Sequence, residues 1–224
     1  MRPKQVLVLG LILLVPVLAF VFLTTFGTNR FALRTYYPSR VDSTQAGGKW
    51  QRDTVFHRVA PGSLQTQSGR SLAPGDLKGS VYVASFFFAT CPQVCPRLNA
   101  QLQRVQEKYR AEPRVKLLSY SIDPQHDSVP VLARYAEEYG AIAGKWFFLT
   151  GPQDSIRHLA LHEYRVGEPG PATIGPAAGS VHSQRLVLVD RDQHIRGIYD
   201  GLDAREVDRL ITEIRVLLYT YDHD

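Results

Sequence analysis

The sequence predicts an α/β domain, with a mixed sheet flanked by helices, preceded by one N-terminal transmembrane helix. Three observations carry that prediction. Residues 6–26 are uncharged and almost wholly apolar, the length of one helical bilayer crossing. Beyond them, short apolar runs bounded by Gly, Pro and Asp alternate with stretches of helical periodicity, the pattern of a layered α/β domain. Near the C-terminus two apolar runs are joined by a tight polar turn and followed by an amphipathic helix, which makes the sheet mixed rather than wholly parallel.

The apolar segment is longer than the core of a signal peptide and no clear Ala-x-Ala cleavage site follows it, so an uncleaved anchor over residues 1–27 is expected. Pro16 within it is tolerable in a membrane helix. Arg2 and Lys4 precede the span, and Arg30, Arg34 and Arg40 follow it, leaving the charge rule for orientation nearly balanced. The short N-terminal flank is easily left in the cytoplasm. The expectation is therefore a bacterial cytoplasmic-membrane protein, single-pass, with its C-terminal domain on the outer, periplasmic side. Residues 28–52 are polar and contain Gly47-Gly48, and read as a flexible linker of roughly 25–30 Å reach. The folded domain is expected over 53–224.

Within the domain, Gly69-Arg70-Ser71-Leu72 marks a turn or hairpin. Residues 81–88 form the first strong strand. Residues 92–110 follow as a helix, with Leu98, Leu102, Val105 and Tyr109 on one stripe. A second strand is predicted over 115–122, a helix from Ser128 or Pro130 to 139, and a short strand over 146–149. Asp154 is expected to cap a short helix reaching about 163. Residues 168–179 are rich in Gly, Pro and Ala, which predicts a loop. Residues 184–190 and 194–199 then form a hairpin around Arg191-Asp192-Gln193. A last helix over 204–219 turns Val207, Leu210, Ile211, Ile214, Leu217 and Leu218 inward.

Cys91 and Cys95 are the only cysteines among 224 residues. They sit where an aromatic strand empties into a turn that opens a helix. On a helix, positions i and i+4 share a face. A helix N-terminus favours thiolate, which is both nucleophile and soft metal ligand. The chemistry narrows to redox exchange or soft-metal binding. A purely structural disulfide would close a loop of only five residues, worth about 2 kcal/mol. A thiol turn after the first strong strand, with a hairpin later, is the thioredoxin layout. In that layout the residue before the hairpin strand packs on the thiol turn and is usually a cis-proline. Here Ser180-Val181-His182-Ser183 contains no proline, which would let a donor side chain face the cysteines.

Other candidates carry less. The net charge of +5 comes from scattered residues, and no nucleic-acid-binding motif accompanies it. His158 and His162 have the i, i+4 spacing of a helix-face metal pair, against the plainer reading of an exposed pair. His126, in the loop after the second strand, is a candidate gate or transient ligand. Asp222-His223-Asp224 is a metal-like tail, more simply frayed charge. Structural zinc usually takes four protein ligands, and no third Cys exists.

The residues also resemble a known family. Phe86-Phe87-Phe88-Ala89-Thr90-Cys91-Pro92-Gln93-Val94-Cys95-Pro96, Ser121-Ile122-Asp123-Pro124-Gln125-His126-Asp127, Phe148-Leu149-Thr150-Gly151, Val181-His182-Ser183 and Leu186-Val187-Leu188-Val189-Asp190 are similar to SCO/SenC proteins. These are membrane-anchored, thioredoxin-like copper chaperones of cytochrome c oxidase assembly. The resemblance runs from about Trp50 to the C-terminus and implies copper ligation by Cys91, Cys95 and His182, with Asp123 beside the site. The chain departs from the family at Thr90, where many members carry His, and at Val181, where Asp is frequent. The implied cofactor is one copper per domain, as Cu(I) and in a second state Cu(II). Cu(I) is soft, and two thiolates with one imidazole suit it. The implied partners are a copper-receiving oxidase subunit, a copper donor or thiol reductant, and the membrane, with no nucleic acid. A thiol-disulfide oxidoreductase acting on partner cysteines is the alternative. Only the metal reading requires His182.

Overall fold

The computed structural model describes residues 3–26, 33–46, 49–166 and 184–223. The chain divides into two units, Met1–Ala32 and Leu33–Asp224. The first is one helix, α1 (Pro3–Phe26), with Pro16 inside it. Its large apolar side chains from Leu11 to Phe22 are exposed. Among the described residues no helix is long and apolar enough to cross a membrane.

The second unit begins at Leu33, well before the expected domain start at 53. Where the sequence predicts a flexible linker, β1 (Pro38–Ala46) and β2 (Lys49–Phe56) pair antiparallel. Val41, Thr44, Thr54 and Val55 favour extended backbone. A Gly-Gly pair in a sequence is as compatible with a hairpin as with a flexible stretch.

The main sheet has seven strands: β3 (Leu64–Thr66), β4 (Ser71–Leu72), β5 (Val81–Phe87), β6 (Val115–Ser121), β7 (Trp146–Thr150), β8 (Arg185–Val189) and β9 (Ile195–Asp200). Their spatial order is β4-β3-β7-β6-β5-β8-β9. The central β5, β6 and β7 run parallel. β3 joins β7 antiparallel, and β8 joins β5 antiparallel, with β9 beyond it. This is the mixed, thioredoxin-like sheet that the element order predicts.

Strand β5 explains why the sheet needs cover on both faces, because every one of its residues is buried. Val81, Val83 and Phe87 enter one core with α2 (Val94–Lys108), α3 (Val129–Glu138) and α5 (Ala204–His223). Tyr82, Ala84 and Phe86 enter the other, against Ile156 of α4 (Gln153–His158) and the residues that follow it. Alternation with period two splits one apolar run between two layers. Ser85, on the first face, is satisfied by Ser119 Oγ at 2.9 Å, which also accepts from Trp146 Nε1 at 3.0 Å.

The predicted stripe of α2 is buried as expected, at Leu98, Leu102, Val105 and Tyr109. In α5, Ile211 is only partly buried and the helix continues past 219 to His223. Asp154 is not a cap: Pro152 holds the N-cap position of α4 and Asp154 lies in the first turn. The loop expected over 168–179, and His182 with it, lies outside the described residues.

Candidate metal centre

The parallel strands β5 and β6 end side by side, and both following loops start at the same edge. Ile122 N–H extends the ladder to Phe87 O at 2.8 Å. After Phe87 the chain turns, with Cys91 N–H donating to Phe88 O at 3.1 Å, and α2 opens at Val94. The N-cap residue, Gln93, makes no side-chain cap bond. The Cys91 sulfur fills that role instead, accepting the N–H of Cys95 at 3.3 Å. One of the orphan donors of a helix start is thereby aimed at a thiol.

No disulfide joins the two cysteines. Cys91 keeps 8% of its surface exposed and Cys95 only 1%. Sequence alone suggests that the helix end favours thiolate at both. For Cys95, burial overrides it: desolvation, reinforced by the hydrogen bond with Cys91, pushes that thiol up to about 12. Cys95 therefore carries its proton at neutral pH until a metal or an oxidant replaces it.

The loop after β6 holds the thiol turn in place. Asp127 is 1% exposed, and its Oδ2 accepts from Ala89 N–H at 3.0 Å and from Ser121 Oγ at 2.5 Å. Burial raises its carboxyl above the ordinary range. Asp123 turns its carboxylate to His126 Nδ1 at 2.8 Å, while its own N–H donates to Ser121 Oγ. His126 is thus engaged by Asp123, and that contact raises its pKa. Asp127 is the carboxylate that touches the thiol loop. A second Asp four residues after the first, at the end of a buried strand, is the signal that could have singled it out.

One turn along α2 from Cys95, Asn99 is fully buried and donates through Nδ2 to Tyr135 Oη at 2.9 Å. Tyr135 stacks on Phe87 at 5.1 Å between ring centroids. This polar pair under the dithiol was legible as a polar residue in phase with Cys95, Leu98 and Leu102, on the face that should be apolar.

His182 stands three positions before β8. Ala84 pairs with Val187, so the same register continued would bring Gln184 beside Phe87. Gln184 O accepts from Gly201 N–H at 2.8 Å. His182 itself is outside the described residues, and among those described no three His, Cys, Asp or Glu side chains are grouped to hold a metal. His158 and His162 lie on the far face of the sheet from the cysteines, next to the second core.

The described donors fit a soft metal: two thiols joined through one helix-start amide and shielded from water. A mixed thioredoxin-like sheet with a CxxxC pair at the ends of its central parallel strands defines the class, that of thioredoxin-fold dithiol proteins. The chain belongs to the SCO1/SenC family, whose model matches residues 54–218. It is 29% identical over 171 residues to the SCO1 protein homolog of Bacillus subtilis, covering 75% of this chain and 87% of that one. It is 28% identical over 173 residues to the mitochondrial SCO2 homolog of Mus musculus, covering 74% and 66% respectively. Among solved structures it is similar to BsSco, "a member of the Sco family of cytochrome c oxidase assembly proteins", in which a disulfide switch was identified. That match has a TM-score of 0.60 and 29% identity, over 72% of this chain and 93% of that one. Copper-bound ScoI of Bradyrhizobium japonicum has a TM-score of 0.57 at 21% identity, over 71% and 99%, a likeness of fold.

Proposed function

We propose that this protein is a membrane-tethered copper chaperone that serves assembly of the copper centre of a terminal oxidase. The observation that carries the reading is the buried pair Cys91 and Cys95 where β5 runs into α2, with the Cys95 N–H aimed at the Cys91 sulfur. Family membership and the oxidase-assembly role of BsSco support it. Copper is the cargo here. Cys91, the more open thiol, is the first contact, and Cys95 closes the chelate as its proton leaves. His182 supplies the third donor from the segment before β8. Asp127 keeps the turn from swinging away by its bond to Ala89 N–H. Asp123 holds His126 at the mouth of the same loop.

The apolar segment 6–26 anchors the chain in the bacterial cytoplasmic membrane, with the domain on the outer side. The receiving oxidase subunit shares that membrane, and a copper donor or thiol reductant completes the set of partners.

A second reading is favoured by the closeness of the same two sulfurs around one helix-start amide and by the disulfide switch in BsSco. In it Cys91 and Cys95 reduce a partner disulfide. The two thiols form their own S–S bond and pass two electrons and two protons to the partner's sulfurs. Copper stoichiometry of the His182→Ala protein, measured beside its thiol-exchange rate, separates the two. The chaperone reading predicts that copper binding is lost while exchange is retained. Unchanged copper binding would remove His182 from the site, and a wild-type protein that takes up no copper would leave only the reductase.

A further inference from the structure

The sheet face opposite the thiols carries a second set of donors. Beyond α4 the helix widens over Leu159–Glu163: Tyr164 N–H reaches back five residues to Leu159 O at 2.9 Å, and Val166 N–H six to Ala160 O at 2.8 Å. Widened turns of this kind recur at functional sites. They set residue i+5, as well as i+4, close to residue i. Here residue i is His158. The His162 ring stands 4.9 Å from its ring, tilted by 32°, and Glu163 Oε1 lies 3.7 Å from its Nε2. Glu163 is an anchored carboxylate, 16% exposed. Its Oε2 accepts Ala60 N–H at 2.7 Å, and its backbone carbonyl accepts from His57 Nε2 at 2.9 Å. Both imidazoles are exposed. Ile156, Leu159, Ala160 and Tyr164 bury this turn against the second core, whereas both cysteines belong to the first.

We propose that His158, His162 and Glu163 form a second metal site, for a borderline divalent ion and copper(II) above all, separate from the dithiol. Two imidazoles and one carboxylate suit copper(II) and zinc rather than copper(I), and copper(II) heads the affinity order of such sites. No three donors among the described residues already surround a common point. Exposed imidazoles turn on the picosecond to nanosecond scale, while Glu163 is fixed, so the ion draws the two rings toward the carboxylate and water fills the remaining positions. The two donor sets then differ in chemistry and in place, thiols against the first core and imidazole with carboxylate against the second.

The test uses the full chain in detergent with Cys91→Ser and Cys95→Ser, titrated with copper(II) and followed by equilibrium dialysis and electron paramagnetic resonance. The expected result is one copper(II) with a nitrogen-coordinated signal. Adding His158→Ala and His162→Ala should weaken it by at least about tenfold, and Glu163→Gln by roughly tenfold. Because both imidazoles are exposed, the His variants should melt at the parent temperature. Absence of copper(II) binding in the thiol-free protein, or binding indifferent to His158 and His162, overturns the proposal. So does loss of copper(I) binding when only the two histidines are replaced, since the sites would not be separate. Failure of the chaperone reading is seen elsewhere, in wild-type protein that takes no copper(I).

Discussion

Cys95, in the first turn of α2, and Asp127, in the loop after β6, are buried groups at the thiol turn, and each has a measurable consequence. The Cys95 thiol is raised by burial to about 12, so the fold prefers its protonated form. That contribution to stability is complete below the ordinary thiol pKa and is lost as pH rises from about 9 towards 12. Urea midpoints of the reduced, metal-free protein should therefore fall more steeply between pH 8 and 10.5 than those of Cys95→Ala, and parallel curves would contradict this burial. Asp127→Ala leaves Ala89 N–H and Ser121 Oγ without their shared acceptor. The expected cost is about 1–3 kcal/mol, read as a lower urea midpoint at unchanged slope. Asp127→Asn, which keeps an acceptor oxygen, should recover most of it. The dithiol was legible from the sequence because soft chemistry needs a particular residue pair at a particular spacing. Asp127 and Asn99 were not, because a buried polar residue is recognised by what it pairs with, and those partners lie 38 and 36 residues away.

At the scale of elements, β5, β6, α2 and α5 were legible because their periodicity runs over enough residues to separate two from 3.6. Boundaries slipped where local chemistry decides them, as at α4, where Pro152 and not Asp154 opens the helix. The wide turn over Leu159–Glu163 has no periodic signature at all. The β1–β2 hairpin was missed because its strands are polar, and a Gly-Gly pair reads equally as hinge or turn. Gly201 shows how tightly the elements near the site fit. A Cβ there would collide with Leu98 Cδ1 of α2 and come within 2.9 Å of Gln184 O at the start of β8. Gly201→Ala should cost about 1–3 kcal/mol through overpacking, seen as a lower melting temperature, and should weaken copper binding by disturbing the segment that leads from His182. A neutral outcome for both would mean that α2 and β8 shift apart freely.

For the whole molecule, fold and family follow from element order and the dithiol, while the membrane arrangement rests on the composition of residues 6–26. Tethering raises the effective concentration of donor and acceptor without any new contact. Removing residues 1–28 and exporting the domain should leave copper stoichiometry unchanged but lower oxidase activity in cells. Equal oxidase activity, or recovery of the mature protein free of membranes with an N-terminus beyond Phe26, would identify the segment as a cleaved leader. The central claim concerns the metal, and X-ray absorption on the copper(I)-loaded protein tests it most directly. Two sulfurs at about 2.2–2.3 Å, near zinc–thiolate lengths, with one nitrogen in the shell, is the predicted result. A shell of four sulfurs, or of nitrogen and oxygen alone, would contradict it.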